Sequence, residues 1–173
     1  MKKIATLTIS LLLTACAQVP IPIPTYIIIE PFNEKQAENA LKKGNNTIKG
    51  EAFLRQAGGA VVTCAGNEVS LTPVTAYATE RIMALYGSTE KGWNPVGWRA
   101  KNYNFIPNEQ RYFELMKNAI CNSTGHFEFK DIKDGSYYLT TSVHWTNGQS
   151  GQGGHLMQKV SVKGGETTEI ILH

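Results

Sequence analysis

An antiparallel β-sandwich with one or two short helices and an N-terminal tether is the fold predicted by this sequence of 173 residues. Three observations point there. Short runs rich in Val, Ile, Thr, Tyr and Phe recur along the chain, and these residues fit a pleated, half-buried surface. Within the runs apolar and polar residues alternate, the two-residue period of a strand with one face in a core. Turn dipeptides separate them: Gly58-Gly59, Gly66-Asn67, Asp134-Gly135 and Gly164-Gly165. Regularly spaced short strands with such turns are the pattern of a sandwich.

Residues 1–15 read as a secretory leader. Lys2 and Lys3 give a positive start, Ile4 to Leu13 an apolar stretch, and Thr14 and Ala15 small residues before Cys16. About ten apolar residues are too few to cross a hydrocarbon layer of roughly 30 Å. Cys16 in that position resembles the lipobox of bacterial lipoproteins. The resemblance implies removal of the leader and acyl chains, palmitate among them, on Cys16. It also implies a lipid-anchored envelope protein, and Ala17-Gln18 in place of an Asp after the cysteine points to the outer membrane. Each buried acyl CH₂ contributes about 0.8 kcal/mol, so two or three chains anchor a domain firmly.

Residues 16–45 form the tether and a short helix. Pro20, Pro22 and Pro24 alternate with other residues; proline fixes φ and holds its predecessor extended, which makes a stiff stalk. Tyr26 to Ile29 is a short apolar extended run. Asn33 to Lys43 carries Ala37, Ala40 and Leu41 at helical spacing, with Asn33 as cap and Gly44 as stop.

Residues 46–173 form the sandwich domain. Ile48, Gly50, Ala52 and Leu54 alternate with Lys49, Glu51 and Arg55 as a first strand. Ala60 to Cys64 and Glu68 to Pro73 follow as strands. Thr75 to Tyr86 has helical spacing, capped by Thr75 or Thr79 and ended by Gly87. Ser88 to Asn108, with Trp93, Trp98, Tyr103 and Phe105 among Gly, Asn and Pro, reads as one long loop. Strands near Leu115–Cys121, His126–Lys130, Ser136–Trp145, His155–Lys163 and Thr167–Leu172 complete the domain, and Asn147 to Gly154 reads as a flexible hairpin loop.

Within this stretch, Gly125-His126-Phe127-Glu128-Phe129 followed by Asp134-Gly135-Ser136-Tyr137-Tyr138-Leu139 resembles the carboxypeptidase regulatory-like domain, a transthyretin-like sandwich. Ile48 with Gly50 is similar to the opening strand of that family, and Val69 to Pro73 to its third, ligand-side strand. The resemblance implies an accessory module that is not itself catalytic.

Cysteine use agrees with export. With Cys16 assigned to lipid, Cys64 and Cys121 remain, and such a pair outside the cytosol is read as a disulfide. A metal pair would require further ligands at short spacing, and only His126 lies near Cys121.

Charge excludes other roles. The chain carries +3, falling to +1 when Lys2 and Lys3 leave with the leader. No cluster of Lys and Arg suggests nucleic acid. No cofactor motif is recognisable, since Gln149 to Gly154 has the glycines of a phosphate loop without its Lys and following helix. Ser150-Gly151 lacks the strand-turn-helix setting of a nucleophile elbow, and Glu109, Glu114 and Glu128 fall on separate elements. His126, His144 and His155 have two readings, a metal set if the strands bring them together, or solvated strand positions.

The aromatic stretch 93–112 is the candidate site. Trp93, Trp98, Arg99 and Tyr103 are residue types favoured where a partner or ligand is held. A second reading makes the aromatics a minor core over one end of the sandwich. The expected function is a non-catalytic cell-envelope lipoprotein that supports or docks to an assembly. The alternative is a glycan- or peptide-binding lipoprotein that uses this stretch.

Overall fold

The computed structural model describes residues 22–173. The segment expected to be a leader, the expected lipidation site Cys16, and Pro20 of the expected stalk lie outside the described residues. In chain order the elements are β1 (Thr25–Ile27), α1 (Glu34–Ala40), β2 (Asn46–Arg55), β3 (Val61–Thr63), β4 (Glu68–Pro73) and α2 (Ala76–Tyr86). They continue as β5 (Lys91–Pro95), a 3₁₀ turn (Gly97–Arg99), β6 (Asn104–Ile106), α3 (Gln110–Glu114) and β7 (Lys117–Ile120). The last four are β8 (His126–Ile132), β9 (Gly135–Asn147), β10 (Ser150–Val162) and β11 (Thr167–Leu172). The fold is mainly β, as expected.

Two sheets make the sandwich. One is antiparallel with strand order β5-β10-β9-β4-β7. The other is built on β2, with β11 parallel along one edge. Ala52 donates its N–H to the Gly125 carbonyl and accepts from the Cys64 N–H. Both groups of a strand residue point to one edge, so antiparallel β8 and β3 lie end to end along the other side of β2.

Alternation sets the core between the sheets. Ile48 and Ala52 of β2, Phe127 and Phe129 of β8, and Ile170 and Leu172 of β11 face Val69, Leu71, Leu139, Val143, Leu156 and Val160 of the opposite sheet. All are buried. Cys64 and Cys121 join in a disulfide at 5.8 Å between Cα atoms and a sequence separation of 57. It ties the β3 side of one sheet to the β7 side of the other, and a loop of that length contributes about 4 kcal/mol in the chain-entropy account.

A third layer, expected only as one of two readings, covers the outer face of the five-stranded sheet. Tyr138 and Met157, the neighbours of core-facing residues on β9 and β10, point the other way into a second cluster. Tyr77, Ala78 and Ile82 of α2, Phe105 of β6, Tyr112 of α3 and Ile28 close over them. Thr75 caps α2 by accepting from the Ala78 N–H, and Gly87 ends it in a left-handed conformation. Asn33 likewise caps α1 through the Gln36 N–H. The Tyr137 hydroxyl lies 2.8 Å from the Ala40 carbonyl and anchors the end of α1 to the sandwich. Upstream, β1 pairs in parallel with β6.

Two sequence expectations are corrected here. Ser88 to Asn108 is not one long loop: it holds β5, the 3₁₀ turn and β6. Asn147 to Gly154 is not a flexible hairpin loop, because β9 and β10 stay in register up to Asn147 and Ser150 and the turn spans only those residues. In both stretches pairing with a neighbour overrides weak local preference.

Candidate functional site

The β9–β10 ribbon runs past the end of the facing sheet and leaves an open cleft there. It is lined by Leu54 and Arg55 of β2, Trp93 and Pro95 of β5, Val96 and Arg99 beyond it, Trp145 of β9, and Gly151, Gln152 and Gly153 of β10, and holds about 530 Å³. Register explains why the two indoles share it. Trp93 stands opposite Leu156 and Trp145 opposite Gln152, two positions of the same parity on β10, so both side chains leave the inner face of the sheet.

Glycines make room for them. A Cβ at Gly154 would lie 2.4 Å from Nε1 of Trp93 and from the Asn94 carbonyl oxygen. At Gly153, where φ is +96°, a Cβ would lie 2.2 Å from the Val143 carbonyl oxygen and 3.0 Å from the Trp145 ring. Only a strand without side chains lets both indoles settle against its backbone. Trp145 donates its Nε1–H to Oε1 of Gln152 at 3.0 Å, which fixes both groups.

The outer rim is a stapled turn. Buried Asn94 donates to the Lys101 carbonyl and accepts from the Lys101 N–H, both at 2.8 Å. That closes residues 94–101 into a loop whose 3₁₀ turn presents Trp98 and Arg99. Trp98 is 93% exposed, with the Arg99 guanidinium 5.8 Å from its ring.

The sequence-predicted residues therefore separate. Trp93 and Arg99 line the cleft, and Trp98 stands on the same turn as Arg99. Tyr103 does not join them: it is half-buried against Tyr26 and Phe105 in the second core. Phe105 and Tyr112 are buried there too, and burial pushes the Tyr112 phenol up to about 12. Sequence reasoning missed Arg55, Trp145 and Gln152. The available signal was a tryptophan on one side of a tight turn and a glycine-rich run on the other.

Arg81 was also missed. It is buried in the second core with its guanidinium 4.1 Å from the Phe105 ring centroid and 5.0 Å from that of Tyr112, and it donates to Asn108 Oδ1 at 2.9 Å. Aromatic faces hold the charge in place of a carboxylate.

The histidines do not converge. His144 and His155 sit diagonally on adjacent strands, whereas His126 lies on β8 in the other sheet and pairs with Glu51 at 2.8 Å. Desolvation first, then the charge of His144, lowers the His155 pKa. Among the described residues no group of three His, Cys, Asp or Glu is placed to hold a metal ion.

The chain resembles a carbohydrate-binding protein of Pseudomonas aeruginosa, so described provisionally. Identity is 22%, the match covers 83% of this chain and 97% of that one, and the TM-score is 0.69. At that identity the likeness establishes a shared fold. No protein-family model matches the sequence, and no curated protein matches it.

The lining side chains can stack and donate. Two indoles offer flat apolar faces, two guanidiniums and one amide offer N–H groups, and the lining contains no carboxylate, histidine, cysteine or serine.

Proposed function

We propose that this protein is a non-catalytic binding module of a bacterial cell envelope, anchored through lipid on Cys16, and that its cleft binds a glycan. The observation that carries the reading is the pair Trp93 and Trp145 on the Gly153-Gly154 track, rimmed by hydrogen-bond donors. Flat indoles match the C–H face of a pyranose ring, and convergent donors match its hydroxyls. The Pseudomonas aeruginosa neighbour's provisional description as carbohydrate-binding supports the same reading. The resemblance to carboxypeptidase regulatory-like domains supports a binding rather than a catalytic role.

The test is a glycan array probed with mature protein and with Trp93→Ala and Trp145→Ala. Retention of a defined glycan class that either substitution abolishes, with circular dichroism unchanged, is the expected result. Retention of none by the wild type would refute the reading. The anchor is tested separately: Cys16→Ser should move the protein from the membrane to the soluble fraction.

Trp98 supports a second reading, docking to an envelope protein, because so large an apolar side chain stands almost free of the domain. Crosslinking in intact cells should then recover a discrete partner that Trp98→Ala loses while glycan binding is retained.

A further inference from the structure

The charge of the cleft specifies the kind of glycan; this inference rests on the glycan reading above. Arg55 and Arg99 are the only ionisable side chains in the lining. Elsewhere the protein neutralises an exposed arginine thoroughly: Arg111 contacts Glu34, Glu38 and Glu114 at 2.6, 3.1 and 2.7 Å. Arg55 and Arg99 have no carboxylate within ion-pair distance among the described residues; each lies 5.8 Å from an aromatic ring, Phe53 and Trp98 respectively. An aromatic face positions a guanidinium without cancelling its charge.

The polar side chains of the lining are biased the same way. Gln152 has its oxygen engaged by the Trp145 N–H, which leaves its amide N–H groups. Arg55 and Arg99 add donors alone. A cleft that stacks with its indoles and donates with its remaining side chains suits a ligand rich in acceptors.

We infer that the cleft recognises an acidic glycan, its indoles stacking on a sugar ring while Arg55 and Arg99 hold a carboxylate or sulfate carried by that ring or its neighbour. A planar guanidinium matches both oxyanions in bidentate fashion, and such charge-assisted bonds are stronger than neutral ones.

The experiment uses an array of matched pairs, each a neutral oligosaccharide beside its uronate or sulfate counterpart. It is probed with the mature wild type, Arg55→Gln/Arg99→Gln and Trp93→Ala/Trp145→Ala, all checked for folding by thermal unfolding. The expected hits are the acidic members, bound about tenfold or more above their neutral partners, a preference that the double glutamine variant removes and added salt weakens. Uronate hits alone or sulfate hits alone identify which oxyanion is read. Equal binding of both members, unaffected by Arg55→Gln/Arg99→Gln, overturns the acidic inference and leaves glycan binding standing. Absence of any hit that Trp93→Ala/Trp145→Ala abolishes overturns the glycan reading itself.

Discussion

Asn46 shows how much one side chain can hold. It is fully buried at the start of β2. Its Nδ2 donates to the Ile132 carbonyl at 2.8 Å and to Asp134 Oδ1 at 2.9 Å, while its Oδ1 accepts from the N–H groups of Gly165 and Glu166 at 2.8 and 3.0 Å. One amide thus joins the β8–β9 turn to the β10–β11 turn. Those bonds, that from Asn46 foremost and then that from the Gly164 N–H, hold the Asp134 carboxyl below the usual carboxylate range. Asn46→Ala should cost about 3 kcal/mol in urea unfolding, since it leaves buried partners unsatisfied, and should raise the Asp134 pKa in an NMR titration. No loss of stability would contradict this account. His155 supplies a pH dependence. Its folded-state pKa is lowered, so the folded protein binds fewer protons than the unfolded chain. Its contribution is complete above the ordinary value of about 6.5 and is lost as pH falls from there toward the folded-state pKa. His144→Gln removes one of the two causes, so His155 should titrate at higher pH by NMR in that variant. An unchanged titration would show that the charge of His144 is not felt.

At the scale of elements, the glycine run is the part most exposed to substitution. Gly154→Ala should displace Trp93, redden its fluorescence emission and cost about 2 kcal/mol, as overpacking at a rigid backbone does. An unperturbed emission would mean that the indole is not seated on this strand. The same elements show why some of the architecture was legible and some was not. β2, β8 and β11 are visible in sequence because their alternation matches their burial. β5 is Lys-Gly-Trp-Asn-Pro, three of whose residues are poor strand formers; the free edge of β10 makes it a strand. The start of β10, Ser-Gly-Gln-Gly-Gly, reads as a turn for the same reason and is held by β9. Trp93, Trp98 and Arg99 were therefore identifiable as residues, but not as members of a cleft. Its other wall, Arg55 and Trp145, comes from strands whose register no local pattern fixes. The disulfide was legible because two cysteines offer a single pairing once Cys16 is set aside.

For the whole molecule, the sheet pairings divide into near and far. β9 and β10 are consecutive and joined by a tight turn, so their pairing requires no long stretch of chain to be ordered first. Among the described residues, the edge of β2 away from β8 is paired only by β11, which also brings Ile170 and Leu172 into the main core. That pairing joins the first strand of the sandwich to its last, and long-range contacts form late because the intervening chain must be ordered first. Sequence separation therefore predicts an order in time, with the cleft-bearing ribbon forming early and the facing sheet closing last. A chain lacking residues 167–173 should lose the cooperative unfolding transition and self-associate, since its β2 edge is left open to other chains; a sharp transition like that of the full chain would contradict this order. During synthesis, the interval before those last residues arrive is when the open β2 edge leaves the protein most vulnerable to aggregation and proteolysis.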